Sequence, residues 1–341
     1  MATFKAAVIG CGGRGRAHAA GYAASPDVEL VACADPNEEN AKAVAERFQI
    51  PRIYADAQEM LRKERPDIVS ICVWTELHLP MVEAAVEAGV RAIHAEKPME
   101  ITWGRAKKIY ELVTQNGVLT TFCHQRRFEA RFVKARQLIN EGAIGEVLRY
   151  EGRCPNLIDW GTHWFDMFFW YNNDEPAEAV LGQIHLEGEP RRVFGVPVES
   201  QGISYIWYKN GRRGLLMTGI RSGEAWDNRI LGTEGVIEIV AHADPPIRVL
   251  RSDEKGWWQP DLSDIKPQGN STTLSVLDLV DCLKTGREPR LDVKKALQAT
   301  ELIFATYESS RRRGRVDLPL ETEDNAFISM WEKGQIGTIR A

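Results

Sequence analysis

The 341-residue chain has no apolar run that approaches the roughly 18 residues needed to cross a bilayer. Its first residues lead straight into strand-like sequence, without the basic region, long apolar segment and cleavage site of a secretory leader. The six cysteines (Cys11, Cys33, Cys72, Cys123, Cys154, Cys282) are scattered and form no C-x-x-C pair. Four of them lie in or beside apolar runs. Reduced, mostly buried thiols in a cytoplasmic protein are therefore expected, not a disulfide framework. No His/Cys group has metal-ligand spacing, so no metal is expected. A surplus of positive charge is missing too. The net charge of −5 and pI near 5.9 argue against nucleic acid or an anionic membrane as partner. Internal repeats and low-complexity segments are absent. What remains is 44% hydrophobic and 27% charged, an ordinary globular composition, with length enough for two domains.

Near the N-terminus, FKAAVIGCGGRGR places Gly10, Gly12 and Gly15 in G-x-G-x-x-G spacing between an apolar run and helix-forming sequence. In such a loop the first glycine allows the tight turn. The second lets backbone approach a pyrophosphate, and the third lets helix and strand pack closely. The anion rests on free N–H groups at the helix start, so Gly13 and Arg14 belong to the same candidate surface. Asp35 follows Gly15 by 20 residues at the end of a second apolar run, VELVACAD. Its carboxylate suits a ribose 2′-OH and repels a 2′-phosphate, and Pro36-Asn37-Glu38-Glu39 offers no cation for that phosphate. The expected cofactor is NAD rather than NADP. Asp35 also stands where an acid caps the helix at Glu38.

Up to about residue 122, short non-alternating apolar runs (Lys5–Ile9, Glu29–Ala34, Ile68–Val73, Arg91–His94, Val118–Phe122) alternate with helical patterns. This is the pattern of a parallel sheet covered on both faces. Two strand ends carry chemistry. Cys72-Val73-Trp74-Thr75-Glu76-Leu77-His78 leaves one, with Thr75 placed to cap the next helix and His78 either packed or functional. Ala95-Glu96-Lys97-Pro98 leaves another, with Lys97 on a stiff turn where a cationic side chain serves as acid/base or holds a substrate oxygen.

Gly10-x-Gly12-x-x-Gly15, Asp35, the Thr75…His78 turn and Glu96-Lys97-Pro98 together resemble the Gfo/Idh/MocA oxidoreductases, the family of glucose–fructose oxidoreductase and inositol 2-dehydrogenase. The resemblance covers essentially the whole chain. It implies that Lys97 is an active-site residue, and that Trp74, Thr75, His78 and Glu96 lie with Lys97 at the cofactor. The family usually has T-P-N before the histidine of this turn; here Trp74 adds an aromatic surface. His124-Gln125-Arg126-Arg127-Phe128 is similar to the family's N-x-R-F segment at the start of a second domain. Either Arg126 or Arg127 is placed to reach ligand, and Arg127 is the expected substrate residue.

Asp159-Trp160-Gly161-Thr162-His163 matches the family's D-x-G-x-H, which implies that Asp159 and His163 act beside Lys97. At spacings of i, i+4 and i+7, Asp159, His163 and Asp166 share one face of a helix. Asp166 and Trp160 are further substrate-binding candidates. From about Ala177, short alternating runs separated by turn signals predict a mostly antiparallel sheet with one face on helices. Tyr205 and Trp207 fall on the other face, which with the resemblance implies a homo-oligomer, a dimer or tetramer. Trp226, Trp257 and Trp258 fall in loops. A polar loop is expected from the 260s to Thr273, then two helices to Arg313.

The expectation is an α/β protein: residues 1–123 a Rossmann NAD-binding domain, residues 124–341 an α+β substrate-binding and oligomerisation domain with a large open-faced sheet. It is read as a cytoplasmic NAD-dependent dehydrogenase oxidising a secondary hydroxyl of a sugar, sugar derivative, glycoside or cyclitol. An alternative is a hydrolase, epimerase or lyase that keeps NAD bound and works through a transient keto-sugar. A non-catalytic NAD-binding sensor is the third reading.

Overall fold

A computed structural model describes residues 4–220, 226–240, 243–266 and 269–337. The chain divides into two compact units. The first comprises residues 1–101, 105–125 and 269–297, the second residues 102–104, 126–268 and 298–341. This division is discontinuous, where the sequence suggests a single boundary at 123/124.

In the first unit six strands form one sheet: β1 (Phe4–Ile9), β2 (Val28–Ala34), β3 (Arg52–Tyr54), β4 (Ile68–Ile71), β5 (Ala92–Ala95) and β6 (Leu119–Phe122). Their order is β3-β2-β1-β4-β5-β6 and every pairing is parallel. The order reverses between β1 and β4, which opens a crevice at their carboxyl ends. The crossovers are α1 (Gly13–Ala23), α2 (Glu38–Phe48), α3 (Ala57–Glu64), α4 (His78–Glu87) and α5 (Trp103–Gln115). β3 was not apparent from sequence, because its three residues are mostly exposed and carry no apolar run.

In the second unit α6 (Ala130–Asn140) leads to β7 (Val147–Cys154), followed by α7 (Thr162–Tyr171) and β8 (Ala177–His185). A hairpin of β9 (Arg191–Val193) and β10 (Val196–Val198) stands apart as its own small sheet. Then come β11 (Gln201–Tyr208), β12 (Arg213–Thr218), β13 (Asn228–Gly232), β14 (Gly235–Ile239), β15 (Ile247–Arg251) and β16 (Trp257–Trp258). With β17 (Val316–Asp317) they form a nine-stranded sheet ordered β16-β15-β14-β13-β7-β12-β11-β8-β17. It is antiparallel except between β7 and β12. One face packs on α7, whose ten residues are all buried. Gly152 and Gly214 make room for Phe168 there, since a Cβ on either would come within 3.4 Å of its ring. The other face leaves Leu148, Leu181 and Ile203 exposed. Trp257 and Trp258, expected in a loop, form the edge strand β16.

The helix α8 (Ser271–Thr285) returns to the first unit. Val276, Leu279 and Val280 join the core built by Ala19 and Tyr22 of α1. Gly21 allows the approach: a Cβ there would lie 2.7 Å from that of Val276. The polar stretch expected before Thr273 includes residues 267–268, outside the described residues, and α8 begins within it. The long helix α9 (Val293–Arg312) leads to β17 and then to α10 (Ala326–Glu332).

Candidate active site

The glycine loop has the three properties its spacing predicts. Gly10 has φ of +85°, and a Cβ there would sit 2.3 Å from the Cys72 carbonyl oxygen. A Cβ on Gly15 would lie 1.8 Å from the Gly10 oxygen, whereas Gly12 and Gly13 face open space. No side chain caps α1, so its first-turn N–H groups remain for an anion. Asp35 Oδ2 accepts the Cys11 N–H at 2.7 Å and Oδ1 accepts the Asn37 N–H at 2.8 Å. The helix cap that Asp35 was placed to supply comes instead from Asn37, which accepts from Glu39 and Asn40. Asp35 thus points its carboxylate along the loop. A cavity of about 340 Å³ opens beside it, lined by Gly10, Gly12, Pro36, Ala55, Val73, Trp74 and Leu77 among others. No lysine or arginine is among its lining residues, which suits a 2′-OH. These features fit the adenosine and pyrophosphate of NAD.

Trp74 lines this cavity and is 60% exposed. Thr75 and His78, also expected at the cofactor, are not among its lining residues. Thr75 is buried inside a short 3₁₀ turn and caps nothing. His78 is buried with Nδ1 3.1 Å from the Met99 carbonyl and Nε2 3.2 Å from that of Val73. Burial lowers its pKa, and the ring bridges the two carbonyls, holding the turn that presents Trp74.

Glu96 anchors a buried polar network. Its Oε1 accepts from Arg14 Nε at 2.6 Å and meets His18 Nε2 at 2.9 Å. His18 Nδ1 meets Ser70 Oγ at 3.0 Å, and Tyr22 Oη completes the chain at 2.9 Å. Burial opposes the Glu96 charge, but the His18 hydrogen bond and the charges of His18, Arg14 and Lys97 hold its pKa well below the usual range. Arg14 and Glu96 are therefore locked to each other, and Arg14 Nη2 also reaches Thr272 Oγ1 at 3.3 Å. His18, His94 and Cys123 bring three donor atoms within 4.8 Å, a grouping hidden by their separation in sequence. Both His94 ring nitrogens are engaged, with Thr121 and Ser275, as are both of His18. Burial pushes the Cys123 thiol up to about 12. The cluster is a hydrogen-bonded core, with no free lone pairs arranged for a cation.

In the second unit a π turn, Leu157–Gly161, precedes α7. Gly161 N–H bonds the Asn156 carbonyl at 2.9 Å, while the Asn156 side chain accepts from Asp159 N–H at 2.8 Å. Glu199 Oε1 accepts the Leu157 N–H at 2.7 Å and its Oε2 the Tyr307 hydroxyl at 2.8 Å. Sequence reasoning missed Asn156 and Glu199; the first has the signature of a cap, the second has none. π turns inside helices often mark functional positions. This one carries Asp159 and Trp160, both partly exposed, and leads into His163, 4% exposed.

Arg127 and Asp166, both expected at the substrate, are buried against each other. Arg127 is fully buried, with Nε 3.0 and 2.9 Å from the two Asp166 carboxylate oxygens and Nη2 2.8 Å from Asp174. Asp159 lies in the π turn and Asp166 in α7, so no single helix spans all three residues of the i, i+4, i+7 set.

Comparison with known proteins agrees with this fold. Residues 4–124 match the model of the oxidoreductase family's NAD-binding Rossmann fold, and residues 136–318 match the model of its C-terminal alpha/beta domain. D-apiose dehydrogenase of Paraburkholderia graminis is 26% identical over 96% of this chain and 93% of its own. The NAD-dependent scyllo-inositol 2-dehydrogenase of Bacillus subtilis is 26% identical over 93% and 97%. A levoglucosan dehydrogenase solved with NADH and levoglucosan superposes with a TM-score of 0.80 at 21% identity, covering 93% of this chain and all of the other. Among the described residues no helix is long and apolar enough to cross a membrane. The first unit is an NAD-binding Rossmann domain, and the chain belongs to the Gfo/Idh/MocA oxidoreductase family.

Proposed function

We propose that the protein is an NAD-dependent dehydrogenase that oxidises a secondary hydroxyl of a sugar or cyclitol to a ketone. The observation that carries this reading is the π turn. It spends two buried anchors, Asn156 and Glu199, on presenting Asp159 and His163. NAD, when bound, supplies the acceptor for the hydride leaving the carbinol carbon. His163 takes the hydroxyl proton as general base. Lys97 holds the same oxygen and stabilises the negative charge that develops on it. Asp159 orients the pair and keeps Lys97 charged. The similarity to apiose and inositol dehydrogenases supports the substrate class. The apolar open face of the large sheet supports a homo-oligomer, which light scattering on the purified protein would measure.

The test is NADH absorbance with NAD and a panel of polyols, sugars and glycosides. Lys97→Met and His163→Ala should each lower kcat by about 10²- to 10⁴-fold while NAD still binds. Full turnover by Lys97→Met would sink the mechanism. NAD retained through purification with no net NADH would instead favour a bound-cofactor hydrolase, epimerase or lyase.

A further inference from the structure

The second unit holds arginines that this chemistry does not use. Arg126 lies against two indoles, its Cζ 4.8 Å from the Trp160 ring centre and 4.9 Å from that of Trp164. Its side chain is only 11% exposed. Among the described residues a single carboxylate meets it, Glu129, at 3.3 Å, and that acid is shared with Arg131 at 2.6 Å. Arg126 Nε is buried with no acceptor. Arg153, on β7, has the same deficit: its Nε is buried without an acceptor, and its guanidinium lies 5.0 Å from the Trp226 ring centre. Among the described residues no carboxylate pairs with it. Trp164 joins the two, because its indole Nε1 donates to the Arg153 carbonyl at 2.7 Å while its ring carries Arg126. Buried Asp227 lies close by, accepting the Arg153 N–H on its carbonyl at 3.1 Å.

A guanidinium taken out of water with donors unused is costly unless something completes it. Stacked on indole faces, it presents its edge, and that edge matches the two oxygens of a carboxylate. A neutral polyol has no such need; acids and amides would serve its hydroxyls. Trp160 and Trp164, which seat Arg126, directly follow Asp159 and His163 in the chain, so the arginine is held by the same segment that carries the proposed base.

We propose that the substrate is a sugar acid whose carboxylate docks on Arg126 and Arg153. This rests on the dehydrogenase reading for the role of His163, and its test is binding. The full chain, loaded with NADH, is titrated calorimetrically with D-glucuronate, D-galacturonate and D-gluconate. D-Glucose, D-galactose, D-glucitol and glucose 6-phosphate are titrated in parallel. At least one acid should bind about 10- to 100-fold more tightly than its neutral counterpart, and less so in high salt. Arg126→Gln and Arg153→Gln should each remove most of that preference, and Arg315→Gln, at the far strand β17, should leave it. Arg153→Gln serves alone if Arg126→Gln melts early. Equal binding of acids and neutral sugars, tighter binding of the sugar phosphate, or a preference that survives both variants would overturn the proposal. Oxidation of neutral sugars without preference for acids sinks it and spares the dehydrogenase reading. Tight acid binding with no hydride transfer to NAD does the reverse.

Discussion

Glu96 and Glu199 are 5% and 3% exposed, one in each unit, and their surroundings push them in opposite directions. Around Glu96 stand Arg14, His18 and Lys97, and its pKa falls despite burial. Glu199 has neutral donors, the Leu157 amide and the Tyr307 hydroxyl, so burial prevails and its pKa rises. The first unit keeps an ionised acid next to the lysine it proposes for chemistry. The second uses a carboxyl as a brace, and sets its unsatisfied charge elsewhere, on Arg126 and Arg153. Burial alone therefore says little about the charge of a glutamate; the company it keeps decides.

The second unit has one buried ion pair resembling the Glu96 arrangement, and breaking it tests the comparison hardest. Asp166→Ala takes the carboxylate that meets the buried Arg127 Nε, and should cost about 3–5 kcal/mol in chemical denaturation. Asp159→Asn, on the partly exposed π turn, should lower kcat with stability nearly unchanged. If both variants unfold equally, the distinction between brace and site within this unit is wrong. Next in size, Glu96→Gln removes the anion shared by His18 and Arg14, and should cost about 1.5–3 kcal/mol at neutral pH.

The two glutamates also predict opposite slopes of stability with pH. Glu96 binds its proton less tightly folded than unfolded. Its contribution is full above the ordinary glutamate value of 4.5 and is lost as pH falls through the lower folded value. Glu199 binds its proton more tightly when folded. Its contribution is greatest below 4.5 and declines as pH rises through the raised folded value. Melting temperatures of Glu199→Gln between pH 4 and 8 should lose that decline, while Glu96→Gln keeps it. The smallest effect is on the cofactor. Asp35→Ser should weaken NAD by about 1–2 kcal/mol and narrow its advantage over NADP, read by fluorescence titration.

The first unit was the more legible in sequence, for a physical reason. A pyrophosphate loop needs glycine at fixed spacing because backbone atoms approach within the radius of a Cβ, and no other residue substitutes. Gly10, Gly12, Gly15 and Asp35 could be read directly. Whether Arg126 or Arg127 meets Asp166 depends on the turn that holds them, and adjacent arginines look alike on paper. The π turn, which separates Asp159 from the helix of Asp166, leaves no mark in spacing. Thr75 and His78 have the residue types of a site and the positions of a scaffold. Glu199, 42 residues beyond the amide it holds, had no local signal at all.

The first unit takes α8 and the start of α9 from far along the chain. A ribosome that has made the whole six-stranded sheet has not yet made Val276, Leu279 or Val280, which close the core over Tyr22. During synthesis the nucleotide-binding half waits, one side of α1 uncovered, until more than half of the remaining chain has emerged. The part of the molecule that reads as first and simplest is then among the last to be finished.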